Sequence, residues 1–127
     1  MDEERIYQRY LDTLNERRFD DLGQFVHDRL VYNDEDWTLG RYVGRLVDDV
    51  AVIPDLRYDA ELVVTGPDRI AARLRFDCSP RGTFLGVETD GRRVAFAEHV
   101  FYRLHDGRID RVWSLIDVEA VRRQSDS

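Results

Sequence analysis

The sequence predicts an α+β protein, with three N-terminal helices packed on a curved, mainly antiparallel sheet. Apolar residues recur at helical spacing as far as Ile53, and Pro54 closes that stretch. From Arg57 onward the spacing changes to two. The last third of the chain then holds two long strand-like runs around Asp106-Gly107, the strongest short hairpin signal.

The first helix is expected over residues 3–17, where Ile6, Tyr7, Tyr10, Leu11 and Leu14 form one stripe. Glu3 and Glu4 suit its N-terminus, and Arg17-Arg18 its C-terminus. Asp20 caps a second, short helix with Leu22, Phe25 and Val26 inward. Leu30 to Asn33 reads as a short strand and Asp34-Glu35-Asp36 as a loop. The third helix runs from Leu39 to Ile53 and buries Tyr42, Val43, Leu46, Val47 and Val50. Strands follow over Arg57–Thr65 and Arg69–Cys78, joined by Gly66-Pro67-Asp68. The connection from Ser79 to Arg93 carries Phe84 and Leu85, too apolar for a plain surface loop, and reads as a pocket lip. A sheet that curls around helices on one face makes a one-ended cone, whose mouth is the natural pocket.

Composition excludes several functions. The 127 residues suit one domain with a core of its own, over residues 1–127. A formal charge of −7 argues against nucleic acid, whose phosphates demand a basic face. The single cysteine, Cys78, allows no internal disulfide, and His27, His99 and His105 have no metal-binding spacing. No metal and no cofactor are expected. No apolar run approaches the roughly 20 residues of a membrane span, and the charged N-terminus is unlike a signal peptide, so a cytoplasmic protein is expected. All 19 basic residues are arginine, which reads as codon bias.

Two acids in the hairpin stand where strands bury apolar residues: Glu98 and Asp117. A carboxylate on an inner sheet face is costly unless paired, hydrogen-bonded or used. A two-residue turn at Asp106-Gly107 pairs His105 with Arg108. Counting outward, Glu98 then faces Leu115 and Phe96 faces Asp117. One face collects Phe96, Glu98, Val100, Tyr102, Trp113, Leu115 and Asp117, with the two acids diagonal neighbours about 7 Å apart. A slip of one residue instead sets Asp117 beside His99 and turns Glu98 away. The first register offers two carboxyls with separated pKa values, the second a His–Asp pair. The turn and the face composition favour the first. Simpler roles stand beside these. Asp117 can cap a helix-like tail starting at Val118, Glu98 can pair with Arg73 or Arg75, and His99 can face solvent or a partner.

Several segments carry a family resemblance across nearly the whole chain. They include Asn15-Glu16-Arg17-Arg18-Phe19-Asp20, Pro54-Asp55-Leu56 and Phe84-Leu85-Gly86. The most specific are Glu98-His99-Val100-Phe101-Tyr102, Asp106-Gly107-Arg108-Ile109 and Val112-Trp113-Ser114-Leu115-Ile116-Asp117. Together they resemble the SnoaL-like polyketide cyclases and predicted ester cyclases of the NTF2-like superfamily. That resemblance implies an α+β cone, a homodimer packed through the sheet, and a hydrophobic or aromatic small-molecule substrate. It also implies an aldol-type ring closure without metal or cofactor, in which Asp117 works at the end of the last strand. Many relatives carry a histidine where this chain has Tyr32-Asn33. The expected catalytic residues are Asp117, Glu98 and His99. Tyr102, Trp113 and Phe84 would hold a flat ligand, with Leu115 and Tyr10 as further lining. A non-catalytic ligand-binding or dimerising module is the alternative, as is a hydrolase or isomerase on the same pocket.

Overall fold

A computed structural model describes residues 2–126. Helix α1 spans Glu3–Asn15; the Asp2 side chain accepts from the Arg5 amide, and Glu3 and Glu4 sit in the first turn. Its stripe of Tyr7, Tyr10, Leu11 and Leu14 is buried. The helix stops two residues earlier than its spacing predicts, because Arg17 adopts a left-handed backbone. Phe19–Gln24 is a 3-10 helix, not a full α-helix. Strands β1 (Val26–Tyr32) and β2 (Glu35–Thr38) follow as a hairpin. The expected loop at residues 34–36 is thus a turn plus the start of a strand. Helix α2 covers Leu39–Val52, capped by Thr38, whose hydroxyl accepts from the Arg41 amide.

Strands β3 (Asp59–Gly66) and β4 (Arg69–Cys78) agree with the period-two reading. The pocket-lip segment folds as a small hairpin, β5 (Arg81–Phe84) and β6 (Val87–Asp90). Strands β7 (Val94–His105) and β8 (Arg108–Ile116) form the long hairpin, and α3 (Val118–Ser125) ends the chain. The main sheet has the order β2-β1-β8-β7-β4-β3. Only β1 and β8 run parallel, so the sheet is mixed and mainly antiparallel as predicted. The N-terminal helices comprise two α-helices and one 3-10 helix; the third α-helix is C-terminal.

The hairpin register departs from the count. Asp106 and Gly107 both have positive φ, 51° and 77°, and His105 pairs with Arg108 as a two-residue turn requires. Leu104 pairs with Ile109, but Arg103 pairs with Arg111. Asp110 is therefore an extra residue, a bulge, and every later pair slips by one. Glu98 faces Ile116, and His99 faces Leu115. The concave face is Phe96, Glu98, Val100 and Tyr102 on β7 with Val112, Ser114 and Ile116 on β8. Trp113 and Leu115 move to the convex face with His99 and Phe101. No helix among the described residues is long and apolar enough to cross a membrane.

Candidate functional site

The concave face and the helices enclose a cavity of about 60 Å³, room for roughly four to six water molecules. Its apolar wall includes Leu14, Leu46, Leu74, Phe76, Phe84 and Phe96. Its polar groups are Glu98, Arg45, Asp49 and five tyrosines: Tyr10, Tyr32, Tyr42, Tyr58 and Tyr102.

Glu98 is half-buried, and one carboxylate oxygen accepts from the Ser114 hydroxyl at 2.5 Å. Burial pushes its pKa up; the Ser114 hydrogen bond and the Arg45 charge pull the other way, and Asp49 adds to the rise. Ser114 is itself fixed by Asn33, whose side-chain amide bonds the Ser114 carbonyl at 3.1 Å and accepts from its amide at 2.8 Å. The Tyr32-Asn33 pair noted in the sequence thus has two uses. Tyr32 lines the cavity, and Asn33 holds the serine that holds Glu98.

Arg45 and Asp49, one turn apart on α2, form an ion pair at 3.3 Å and are partly exposed. Burial raises the Asp49 pKa, against the pull of Arg45. The tyrosine hydroxyls pair with one another: Tyr10 with Tyr42 at 2.5 Å, and Tyr7 with Tyr102 at 3.1 Å. The Tyr58 hydroxyl is buried with no protein partner. Leaving such a group unbonded costs about 1–3 kcal/mol. Among the described residues no three His, Cys, Asp or Glu side chains gather as a metal site would need.

The fold has close counterparts. The SnoaL-like polyketide cyclase family model matches residues 4–125. The chain belongs to the SnoaL-like polyketide cyclase family. A SnoaL-like polyketide cyclase from Agrobacterium tumefaciens is 47% identical, covers 98% of each chain and superposes with a TM-score of 0.94. TsrD from Streptomyces laurentii, 20% identical, matches 95% of this chain and 92% of its own with a TM-score of 0.85. IdmH from Streptomyces antibioticus, 17% identical, matches over 100% of both chains with a TM-score of 0.87. The last two share the fold. No curated protein matches the chain.

Within this SnoaL-like cone the expected site residues divide. Glu98, Tyr102, Phe84 and Tyr10 line the cavity. His99, Trp113 and Leu115 lie on the convex side. His99 is exposed and bonds Arg73 at 2.7 Å, Trp113 sits under the Arg111 guanidinium at 4.7 Å, and Leu115 is 76% exposed. Of the two arginines weighed as partners for Glu98, Arg73 and Arg75, the first pairs instead with Glu61 on that same convex side. Asp117 is exposed and caps α3, accepting from the Ala120 amide at 3.0 Å. It does not stand beside Glu98, because the bulge carries it past the concave face. Sequence reasoning missed Tyr32, Tyr42, Tyr58, Arg45 and Asp49 as cavity groups, and Ser114 as the residue that bonds Glu98. The α2 set carried a signal: Tyr42, Arg45, Leu46 and Asp49 share one helical face, so two charges adjoin an apolar stripe.

Proposed function

We propose that this chain is an enzyme that moves a proton on a small carbonyl compound and closes a ring by an aldol-type step, with Glu98 as the acid/base group. One observation carries the reading. Glu98 is the carboxyl in the cavity, among the described residues, that has no arginine partner, and its pKa is raised by burial while Ser114 fixes its orientation. A carboxyl pushed toward neutral pH is suited to both taking and returning a proton.

The chemistry balances without a redox partner. The Glu98 carboxylate takes a proton from a carbon next to a carbonyl, and the C–H electron pair moves into an enolate. The enolate carbon attacks a second carbonyl of the same molecule and forms the ring C–C bond. The proton on Glu98 then passes to the new alkoxide oxygen. The aromatic and aliphatic wall suits a hydrophobic or aromatic ligand.

The resemblance assigns proton transfer to Asp117, so the test separates the two acids. Turnover of a panel of polyketide esters is measured for wild type, Glu98→Gln and Asp117→Asn. Glu98→Gln is expected to lose about 10²–10⁴-fold. Asp117→Asn keeps a capping side chain and is expected to match wild type. The reverse pattern returns the role to Asp117. Ligand binding without turnover by wild type identifies a binding module instead.

We also infer a homodimer packed through the convex face. Leu62, Val64, Phe101 and Leu115 are 58%, 58%, 56% and 76% exposed there, a patch of the kind that a partner covers.

A further inference from the structure

Tyr10 and Tyr42 spend their hydroxyls on each other and Tyr102 on Tyr7, whereas the buried Tyr58 hydroxyl has no partner. Tyr58 is nonetheless held firmly. The Asn15 side chain clamps its backbone on both sides, donating to the Tyr58 carbonyl at 3.0 Å and accepting from its amide at 2.7 Å. Its ring meets Phe76 edge-on at 5.8 Å. The residue is therefore placed by contacts that leave its polar end unused. The Tyr58 side chain lines the cavity wall, and its hydroxyl is buried there.

We propose that Tyr58 donates a hydrogen bond to the carbonyl oxygen of the ligand, so that the site selects a carbonyl compound whose acidic C–H faces Glu98. The proposal rests on the reading of Glu98 as the base. When Glu98 takes the proton, the C–H electron pair flows toward that oxygen, and a fixed donor there gains strength as negative charge grows. Burial raises the Tyr58 pKa, with Asp49 and Glu98 adding to the rise, so the phenol keeps its proton and can donate a hydrogen bond to that oxygen. The cavity is small, about 60 Å³, so a compact carbonyl compound is the probe to use.

Acetophenone, with one ring and one carbonyl, is a suitable probe. Its isostere α-methylstyrene replaces the oxygen by a CH₂ group. Binding of both is measured to wild type, Tyr58→Phe and Glu98→Gln, with the carbonyl stretch of bound acetophenone read by infrared difference spectroscopy. Wild type is expected to prefer acetophenone and to shift its carbonyl stretch down from the value in hydrocarbon solvent. Tyr58→Phe should lose about 3- to 10-fold in acetophenone affinity, leave α-methylstyrene unchanged and reverse the shift. Glu98→Gln should keep both preference and shift, so a failure of Glu98 as base does not mimic a failure of Tyr58. On a substrate that turns over, Tyr58→Phe should lower kcat about 10²–10³-fold, far more than it weakens binding. Equal acetophenone affinity and an identical carbonyl stretch in wild type and Tyr58→Phe would overturn the proposal. Should Tyr58→Phe fail to fold, an unshifted carbonyl in wild type overturns it alone.

Discussion

At the scale of single residues, Glu98 is the group whose placement works against the fold. Burial disfavours its charged form, and the Ser114 bond and Arg45 only partly offset that. Its folded pKa therefore lies above the ordinary glutamate value of about 4.3. Between those two values the folded state binds the proton more tightly than the unfolded chain does. Stability must then fall as pH rises through that window, and stay lower above it. Glu98→Gln removes the ionisation. The variant should melt at a higher temperature than wild type at pH 8, and the difference should shrink toward pH 4. Calorimetric melts across that range check this; a difference that does not vary with pH would mean that Glu98 ionises alike in both states. Asp117 illustrates the opposite case. An aspartate between a strand and a helix reads the same in sequence whether it caps or catalyses, and here its carboxylate meets the Ala120 amide.

At the scale of elements, the bulge at Asp110 decides which hairpin residues line the cavity. Arg103 holds the Asp110 carboxylate with two nitrogens at 2.9 and 3.1 Å, which steadies the extra residue. Deleting Asp110 would restore a straight count from the turn. Val112, Ser114 and Ile116 would then leave the concave face, and Arg111, Trp113 and Leu115 would enter it. Burying a guanidinium in place of valine costs several kcal/mol, comparable with the whole stability of a small protein. The deletion is expected to abolish soluble folded protein, while Asp110→Ala keeps the native near-UV circular dichroism. A folded, soluble deletion would show that the register is set elsewhere. Periodicity made the helices and β3, β4, β7 and β8 legible, and Asp106-Gly107 fixed the turn. The bulge was not legible, because nothing in Arg108-Ile109-Asp110-Arg111 distinguishes an inserted residue from a paired one. That one residue moves Trp113 and Leu115 to the convex side, while Glu98 and Tyr102 on β7 keep the cavity face. The tyrosine set escaped notice for a different reason: Tyr32, Tyr42 and Tyr58 are far apart in sequence, and only the closed cone brings them together.

At the scale of the whole molecule, the sheet has two faces with different uses. The concave face meets the helices and builds the cavity. On the convex face the register lines up Val64, Ala71, Phe101 and Trp113 in one row across four strands, and Leu62, Arg73, His99 and Leu115 in the next. Among the described residues no helix covers these rows, and their apolar members are largely exposed. The polar members do not break up the patch, because Arg73 is already engaged with Glu61 at 3.2 Å and with His99 at 2.7 Å. A second copy meeting this face about a two-fold axis would set each patch against an identical one and leave no apolar row outside. Phe101 lies in the row that joins the two sides, so a charge there should be felt across the whole contact. Phe101→Glu is expected to convert a dimer to a monomer while leaving far-UV circular dichroism unchanged, because the side chain touches solvent and not the cavity. Sedimentation velocity on wild type and variant reads the outcome directly. A monomeric wild type, or a dimer that survives the added charge, would move the interface off this face.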